Sequence, residues 1–285
     1  MAVVVEVPGG SAARRCAVLG SPIAHSLSPV LHRAAYAELG LDWSYDAVEV
    51  DSGGLAAFLG GLDAGWRGLS LTMPLKRTVM PLLDAADPWA EVSGAANTVV
   101  LEAGRRLGHN TDVPGAVAAL TERTDGPFDT AVVLGGGATA ASLLLALSEL
   151  GCRHARLLVR DPARAAETVA AVARHDHGPV VEVGLLTDAI GSPDVLASTI
   201  PAAAQTPELV AAAAAAAVVF DVIYDPWPTP LAAAAAGRPL VGGLDLLVHQ
   251  AALQVRLMTG QEAPLAAMRT AGEDALAARA TGDPR

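Results

Sequence analysis

Short apolar runs alternate with amphipathic stretches over most of the chain. Residues 16–20 are a brief apolar run ending in a Ser-Pro turn, and residues 30–39 place apolar side chains at helical spacing before Gly40. Apolar residues alternate over 43–50, residues 55–62 read as a helix, and 68–72 as a short strand stopped by Met73-Pro74. A further strand is expected at 97–101, then a turn at Ala103-Gly104 and a polar segment over 108–112. The polar residues of this region collect at strand ends.

A helix at 116–122 and a turn-rich stretch through 124–127 mark a change of character and a domain boundary. Beyond it, residues 130–134 form a continuous apolar strand, 135–137 a glycine turn, 138–150 a helix closed by Gly151, and 155–159 the next strand. That is a βαβ unit of about 30 residues. A helix at 163–174 and strands at 180–183, 195–199 and 218–223 continue the alternation. The alanine tracts 211–217 and 232–236 read as thin helices, since alanine is the best helix former. Strand alternating with helix predicts a parallel, doubly wound sheet. Helices at 246–258 and 264–279 are expected to return to the first region. The fold class is therefore α/β with two domains.

Composition narrows the function. A chain of 285 residues suits about two domains. With 30 acidic against 19 basic side chains, the net charge of −11 offers no cationic surface to nucleic acid. Four Trp, three Tyr and three Phe leave an aliphatic core. Cys16 and Cys152 stand far apart and read as reduced, buried hydrophobes of a cytoplasmic protein. Residues 1–8 lack the features of a secretory leader, and the most membrane-like run, 209–220, is too short to span a bilayer, so no membrane partner is expected. The histidines show no metal-ligand spacing; His25, His32 and His249 read as packing or hydrogen-bonding residues, and no metal is predicted. Trp43, Trp66, Trp89 and Trp227 read as core or rim anchors.

The candidate chemistry lies in a few short segments. Gly135-x-Gly137-x-x-Ala140 follows a strand and opens a helix, the context of a dinucleotide fingerprint. Its first glycine permits the turn, its second lets a pyrophosphate approach the backbone, and the small third residue allows close helix packing. At the end of the next strand stand Arg160, Asp161 and Arg164. Arginines there suit the 2′-phosphate of NADP, a carboxylate suits the ribose of NAD, and the arginines could instead simply solvate a helix start. Ser26 and Ser28, two apart before a helix, could donate jointly to a carboxylate or merely cap the helix. Thr72, Lys76, Asn97, Thr111 and Asp112 follow; a lysine held by a single carboxylate is suited to proton transfer to a carbonyl oxygen, though such a pair can equally be a solvated surface contact.

Seven motifs carry a resemblance over residues 18–260: Ser-Pro-Ile-Ala-His-Ser-x-Ser-Pro, Leu-Thr-Met-Pro-Leu-Lys, Ala-Asn-Thr, Asn-Thr-Asp, the glycine fingerprint, Tyr-Asp-Pro-Trp-Pro-Thr-Pro and Gly-Leu-Asp-Leu-Leu-Val-His-Gln-Ala. In order and spacing the chain resembles the shikimate dehydrogenases. The resemblance implies a substrate domain (1–113), a Rossmann-type NADP-binding domain (114–245) and C-terminal helices (246–285) packing on the former. It implies reversible reduction of 3-dehydroshikimate to shikimate with NADPH, a step toward aromatic amino acids. Lys76 and Asp112 would be the catalytic pair. Ser26, Ser28, Ser70, Thr72, Asn97, Thr111, Tyr224 and Gln250 would surround the substrate. Gly135, Gly136, Gly137, Ala138, Thr139, Ala140, Arg160, Asp161, Arg164, Thr199, Ile200 and Gly243 would hold the cofactor. The chain departs from the family pattern at Ser70, where many members carry asparagine, at His109, Val113 and Asp161, and at residues 198–200. Two rivals stand beside this reading: an NAD-preferring quinate/shikimate dehydrogenase, and a non-catalytic nicotinamide sensor. A homodimer is compatible with the sequence.

Overall fold

The computed structural model describes residues 13–281, so residues 1–8, read above for a leader, lie outside the described residues. The first half runs β1 (Arg14–Gly20), α1 (Ser28–Glu38), β2 (Trp43–Glu49), α2 (Leu55–Gly60), β3 (Trp66–Leu71), α3 (Leu75–Thr78), β4 (Ala85–Ala86), α4 (Pro88–Ser93), β5 (Thr98–Glu102) and β6 (Arg105–His109). Its six strands lie in the order β2-β1-β3-β5-β6-β4. β1 is parallel to both β2 and β3, while β5 is antiparallel to β3 and β6, so this sheet is mixed. The segment over 108–112 is not simply a polar loop. Gly108 and His109 complete β6, whose hairpin turns at Ala103-Gly104 with Ala103 at φ 50°.

α5 (Asp112–Arg123) leads to the second half. It starts four residues before the expected helix because Asn110 Oδ1 accepts the amides of Asp112 and Val113, and Pro114 is tolerated in a first turn. There follow β7 (Thr130–Leu134), α6 (Ala138–Glu149), β8 (His154–Val159), α7 (Ala166–Ala173), β9 (Val180–Leu185), β10 (Val195–Ser198), α8 (Pro207–Ala213), β11 (Val218–Asp221), α9 (Pro230–Ala234) and β12 (Leu240–Val241). The strand order β12-β11-β10-β7-β8-β9 is wholly parallel and reverses direction between β7 and β10. Such a sheet buries both faces, which is why β7 reads as an unbroken apolar run. Ala131 and Val133 enter one core with the α5 and α6 residues Leu120 and Leu144, whereas Val132 and Leu134 enter another with Leu209 and Leu231. The alanine tracts are helical only in part, since α8 ends at Ala213 and α9 at Ala234.

α10 (Gly243–Thr259) and α11 (Leu265–Ala280) return to the first half. Val248, Ala251, Val255 and Met268 close over Leu27, Leu31 and Ala35 of the α1 region. α10 begins three residues before the expected helix, because Gly242 N–H is capped by Asp245 Oδ2 at 3.0 Å. Asp245 is itself gripped by Arg123 and Arg269, both at 2.6 Å. Cys16 and Cys152 are unpaired and buried, and burial pushes both thiols up to about 11. Among the described residues no helix is long and apolar enough to cross a membrane, and no three His, Cys, Asp or Glu side chains converge as a metal site.

Candidate active site

A cleft of about 300 Å³ opens where the carboxyl ends of β1 and β3 face the start of α6 and the first turns of α10. Its lining includes Ser26, Ser28, Ser70, Thr72, Lys76, Asn97, Asp112, Thr139, Tyr224, Gly243 and Gln250. The scattered motifs therefore meet at one place. Lys76, on the single turn of α3, donates from Nζ to Asp112 Oδ2 at 2.6 Å, and their side chains are only 15% and 6% exposed. This is not a solvated surface pair. Lys76 Nζ also lies 3.4 Å from Thr139 Oγ1, at the start of α6.

Asn97 is the hub. Its Nδ2 faces Asp112 Oδ1 and Thr111 Oγ1, each at 2.9 Å, and Gln250 Oε1 at 3.1 Å. Its Oδ1 accepts from Thr111 N at 2.8 Å and Thr98 Oγ1 at 3.0 Å. Both Asp112 oxygens are thus committed before any substrate arrives, one to an ammonium and one to an amide, and the carboxylate sits at the favourable N-terminal end of α5.

Ser26 and Ser28 do not cap α1. The N-cap is Leu27, which makes no side-chain cap, and among the described residues Ser26 Oγ accepts only the Ser28 amide, at 3.3 Å. Ser70 departs from expectation differently. Its hydroxyl accepts from Tyr45 at 2.5 Å and donates to Gln254 Oε1 at 2.7 Å, so its one proton is spent within the protein. It forms part of the cleft floor, with Tyr45 stacked on His32 behind it at 3.9 Å between ring centroids. Burial pushes the Tyr224 phenol up from its ordinary range despite a hydrogen bond from the Leu27 backbone. His25 is exposed and lines the rim of the cleft. His249 instead pairs with Glu122 at 2.6 Å behind the cleft, and His32 is fully buried.

Two site residues escaped the sequence reading. Gln254 lies one helical turn beyond Gln250 and donates to Thr98 Oγ1 at 2.9 Å; the i, i+4 spacing of two glutamines was the signal. Asn110 caps α5, and its Nδ2 lies 2.8 Å from Ser93 Oγ and 3.2 Å from Ser142 Oγ, so it joins α4 and α6.

The cofactor side is built from backbone. Gly135 has φ +102°, and an added Cβ would lie 2.3 Å from Thr199 Oγ1, so the turn demands glycine there. A Cβ on Gly137 would meet nothing within 4 Å, which leaves open space over the start of α6 for a phosphate. Gly136, Ala138 and Thr139 stay partly exposed around that opening, and Ala140 is buried against the sheet. Thr199 and the buried Ile200 stand at the end of β10, beside the point where strand order reverses. At the end of β8, Arg160 and Arg164 are exposed, and their guanidiniums make no hydrogen bond or ion pair among the described residues. Asp161 Oδ1 instead accepts from Ala163 N at 3.0 Å and caps a short 3-10 turn. The residues present therefore fit a dinucleotide bearing a 2′-phosphate.

The doubly wound sheet, its open glycine turn and a buried lysine–aspartate pair across the cleft define the class: a dinucleotide-dependent dehydrogenase. The family model for the shikimate dehydrogenase substrate binding domain matches residues 18–99, and that for the shikimate 5'-dehydrogenase C-terminal domain matches residues 243–271. A shikimate dehydrogenase (NADP(+)) of Moorella thermoacetica is 38% identical, over 93% of this chain and 95% of its own length. The crystal structure of the Mycobacterium tuberculosis shikimate dehydrogenase superposes with a TM-score of 0.82 at 40% identity, covering 92% of this chain and 99% of that one. The Thermus thermophilus enzyme, solved in complex with NADP(H) and shikimate, gives 0.80 at 31% identity over 92% and 100%. The chain belongs to the shikimate dehydrogenase family.

Proposed function

We propose that this chain catalyses the reversible, NADP-dependent reduction of 3-dehydroshikimate to shikimate in the cytoplasm, supplying aromatic amino acid biosynthesis. The observation that carries the reading is the buried Lys76–Asp112 pair, held by Asn97 and opening into a cleft that is also lined by Thr139, two residues beyond the glycine turn. Ser26, Ser28 and Thr72 present hydroxyls for the substrate carboxylate and a ring hydroxyl, while Asn97, Asp112 and Gln250 form a polar wall for the remaining hydroxyls; Thr111, expected at the substrate, is outside the cleft lining and acts through Asn97. Ser70 acts through Gln254, and Tyr224 closes the cleft from the second half. Such a wall discriminates strongly, because an analogue lacking a hydroxyl would leave buried polar groups unpaired.

When bound, the nicotinamide supplies or takes up the hydride at the substrate's C3. The Lys76 ammonium donates a proton to the oxygen that gains charge as the ketone is reduced, and in the reverse direction the amine accepts it. Asp112 fixes the ammonium at 2.6 Å, and Asn97 keeps the carboxylate from rotating away. The turn over residues 135–140 and Gly243 would hold the dinucleotide, with Arg160 and Arg164 on its 2′-phosphate. Asp161, engaged as a cap, is a poor ribose partner, and that disfavours the NAD-dependent quinate reading. A sensor would have no need of a lysine locked on a carboxylate. We divide the chain into a substrate half (1–113), a cofactor half and returning helices, with the last boundary at Gly242, where α10 is capped, rather than at 245.

Following NADPH absorbance with shikimate or quinate against NADP or NAD tests the reading. Shikimate with NADP should dominate; faster quinate turnover with NAD would overturn it. Light scattering on the same sample distinguishes a monomer from a homodimer.

A further inference from the structure

We propose that Arg77 and Thr168 are positioning residues that couple occupancy of the glycine turn to the placement of Lys76, an inference resting on the functional reading above. Thr168, on α7, is fully buried, yet its hydroxyl does not serve its own helix. It donates to Gly136 O at 2.8 Å, with Gly137 O at 3.3 Å, and accepts from Arg77 Nη2 at 2.9 Å. One hydroxyl thus joins the carbonyls of the phosphate-binding turn to the residue next to Lys76.

The consequence follows from peptide geometry. A peptide unit is planar, so fixing the carbonyls of Gly136 and Gly137 fixes the direction of the amides that follow them. In a trans peptide the N–H points opposite to the carbonyl, so those amides point away from Thr168. On the other side, α3 is a four-residue helix, too short to hold its position by its own hydrogen bonds. Its placement is set by what its side chains grip, and two consecutive ones reach the second half: Lys76 toward Thr139 and Arg77 toward Thr168. An anion that orders the turn therefore orders Thr168, Arg77 and the lysine turn together. Linkage makes the effect reciprocal, so substrate held by Lys76 tightens the turn for the cofactor. Arg77 Nη1 also meets Glu167 at 2.6 Å, but that carboxylate is 73% exposed and contributes little.

The test is the coupling between two binding events in the full chain. Dissociation constants for NADP and for shikimate are measured by calorimetry, each alone and with the other saturating, alongside steady-state kcat and KM. Wild type should show mutual tightening. Thr168→Val keeps the shape and deletes the hydroxyl, and Arg77→Met deletes the donor; each should cut the coupling factor roughly three- to tenfold, the value of one or two hydrogen bonds. The double variant should be no worse than either single, since both break one chain of contacts. Thr168→Ser, which restores the hydroxyl, and Glu167→Gln should stay within about twofold of wild type.

Absence of coupling in wild type overturns the proposal while leaving the functional reading intact. So does a Thr168→Val protein that weakens NADP alone with the coupling factor unchanged, or additivity of the two single variants. If wild type binds neither ligand, the functional reading fails and takes the proposal with it. Should Thr168→Val not fold, Arg77→Met decides, and retained coupling there refutes the strap.

Discussion

The two walls of the cleft are made differently. On the proposed substrate wall, side chains from β2, β3, α3, β5, α5 and α10 satisfy one another before any ligand binds, with Asn97 alone facing Thr111, Asp112 and Gln250. On the cofactor wall, one contiguous turn offers backbone amides and open space, and Arg160 and Arg164 stay without partners among the described residues. The first wall is preorganised and unforgiving; the second gains most of its partners from the ligand. Mutations should therefore cost catalysis or folding on the first wall, and cofactor affinity alone on the second.

The largest expected effect tests the first wall. Lys76→Ala should lower kcat by roughly 10² to 10⁴, the usual worth of positioned proton transfer, with KM for shikimate little changed; a loss below tenfold would remove Lys76 from that role. Next comes the support behind that wall. His32 is fully buried between Tyr45 and the Ser28 carbonyl, and burial lowers its pKa from 6.5 to about 4. Below pH 6.5 the unfolded chain binds a proton that the folded chain refuses. Stability is thus complete above pH 6.5 and falls as pH drops toward 4, by about 3 kcal/mol over the window. Urea unfolding at pH 4.5 and 7 should show this slope in wild type and a shallower one in His32→Gln.

Effects on the second wall are smaller and confined to the cofactor. Removing both arginines, Arg160→Ala with Arg164→Ala, should raise KM for NADP roughly tenfold and leave KM for NAD unchanged, through loss of charge-assisted hydrogen bonds to the 2′-phosphate. Equal losses with both cofactors would place the 2′-phosphate elsewhere. Gly137→Ala should weaken NADP a few-fold and leave the unfolding midpoint alone, because its Cβ meets no protein atom. Gly135→Ala, at φ +102°, should instead lower the midpoint by several degrees. If both variants unfolded early, the contrast between protein-required and ligand-required glycines would fail.

The same difference decided what could be read from the sequence. β7, α6 and β8 match their expected ranges to within a residue, because a buried parallel strand is a continuous apolar run and a glycine turn is contiguous. On the substrate side the motifs exposed Lys76 and Asp112, but α3, β4 and α4 are too short to show a period. The start of α5 was hidden because Asn110 caps it through a side chain whose other contacts lie in α4 and α6. Ser70 drew attention as a substitution, yet its hydroxyl is occupied by Tyr45 and by Gln254, which lies 184 positions away. Alanine tracts conceal their own helix ends, since no side chain marks where α8 stops and the approach to β11 begins.

α1 is covered by α10 and α11, whose residues follow the whole of the second half. A ribosome making this protein releases Leu27, Leu31 and Ala35 long before Val248, Val255 and Met268 exist to shield them. The half translated first thus waits on residues made after the second, and a nascent chain stalled before residue 243 would display an oily strip inviting chaperones.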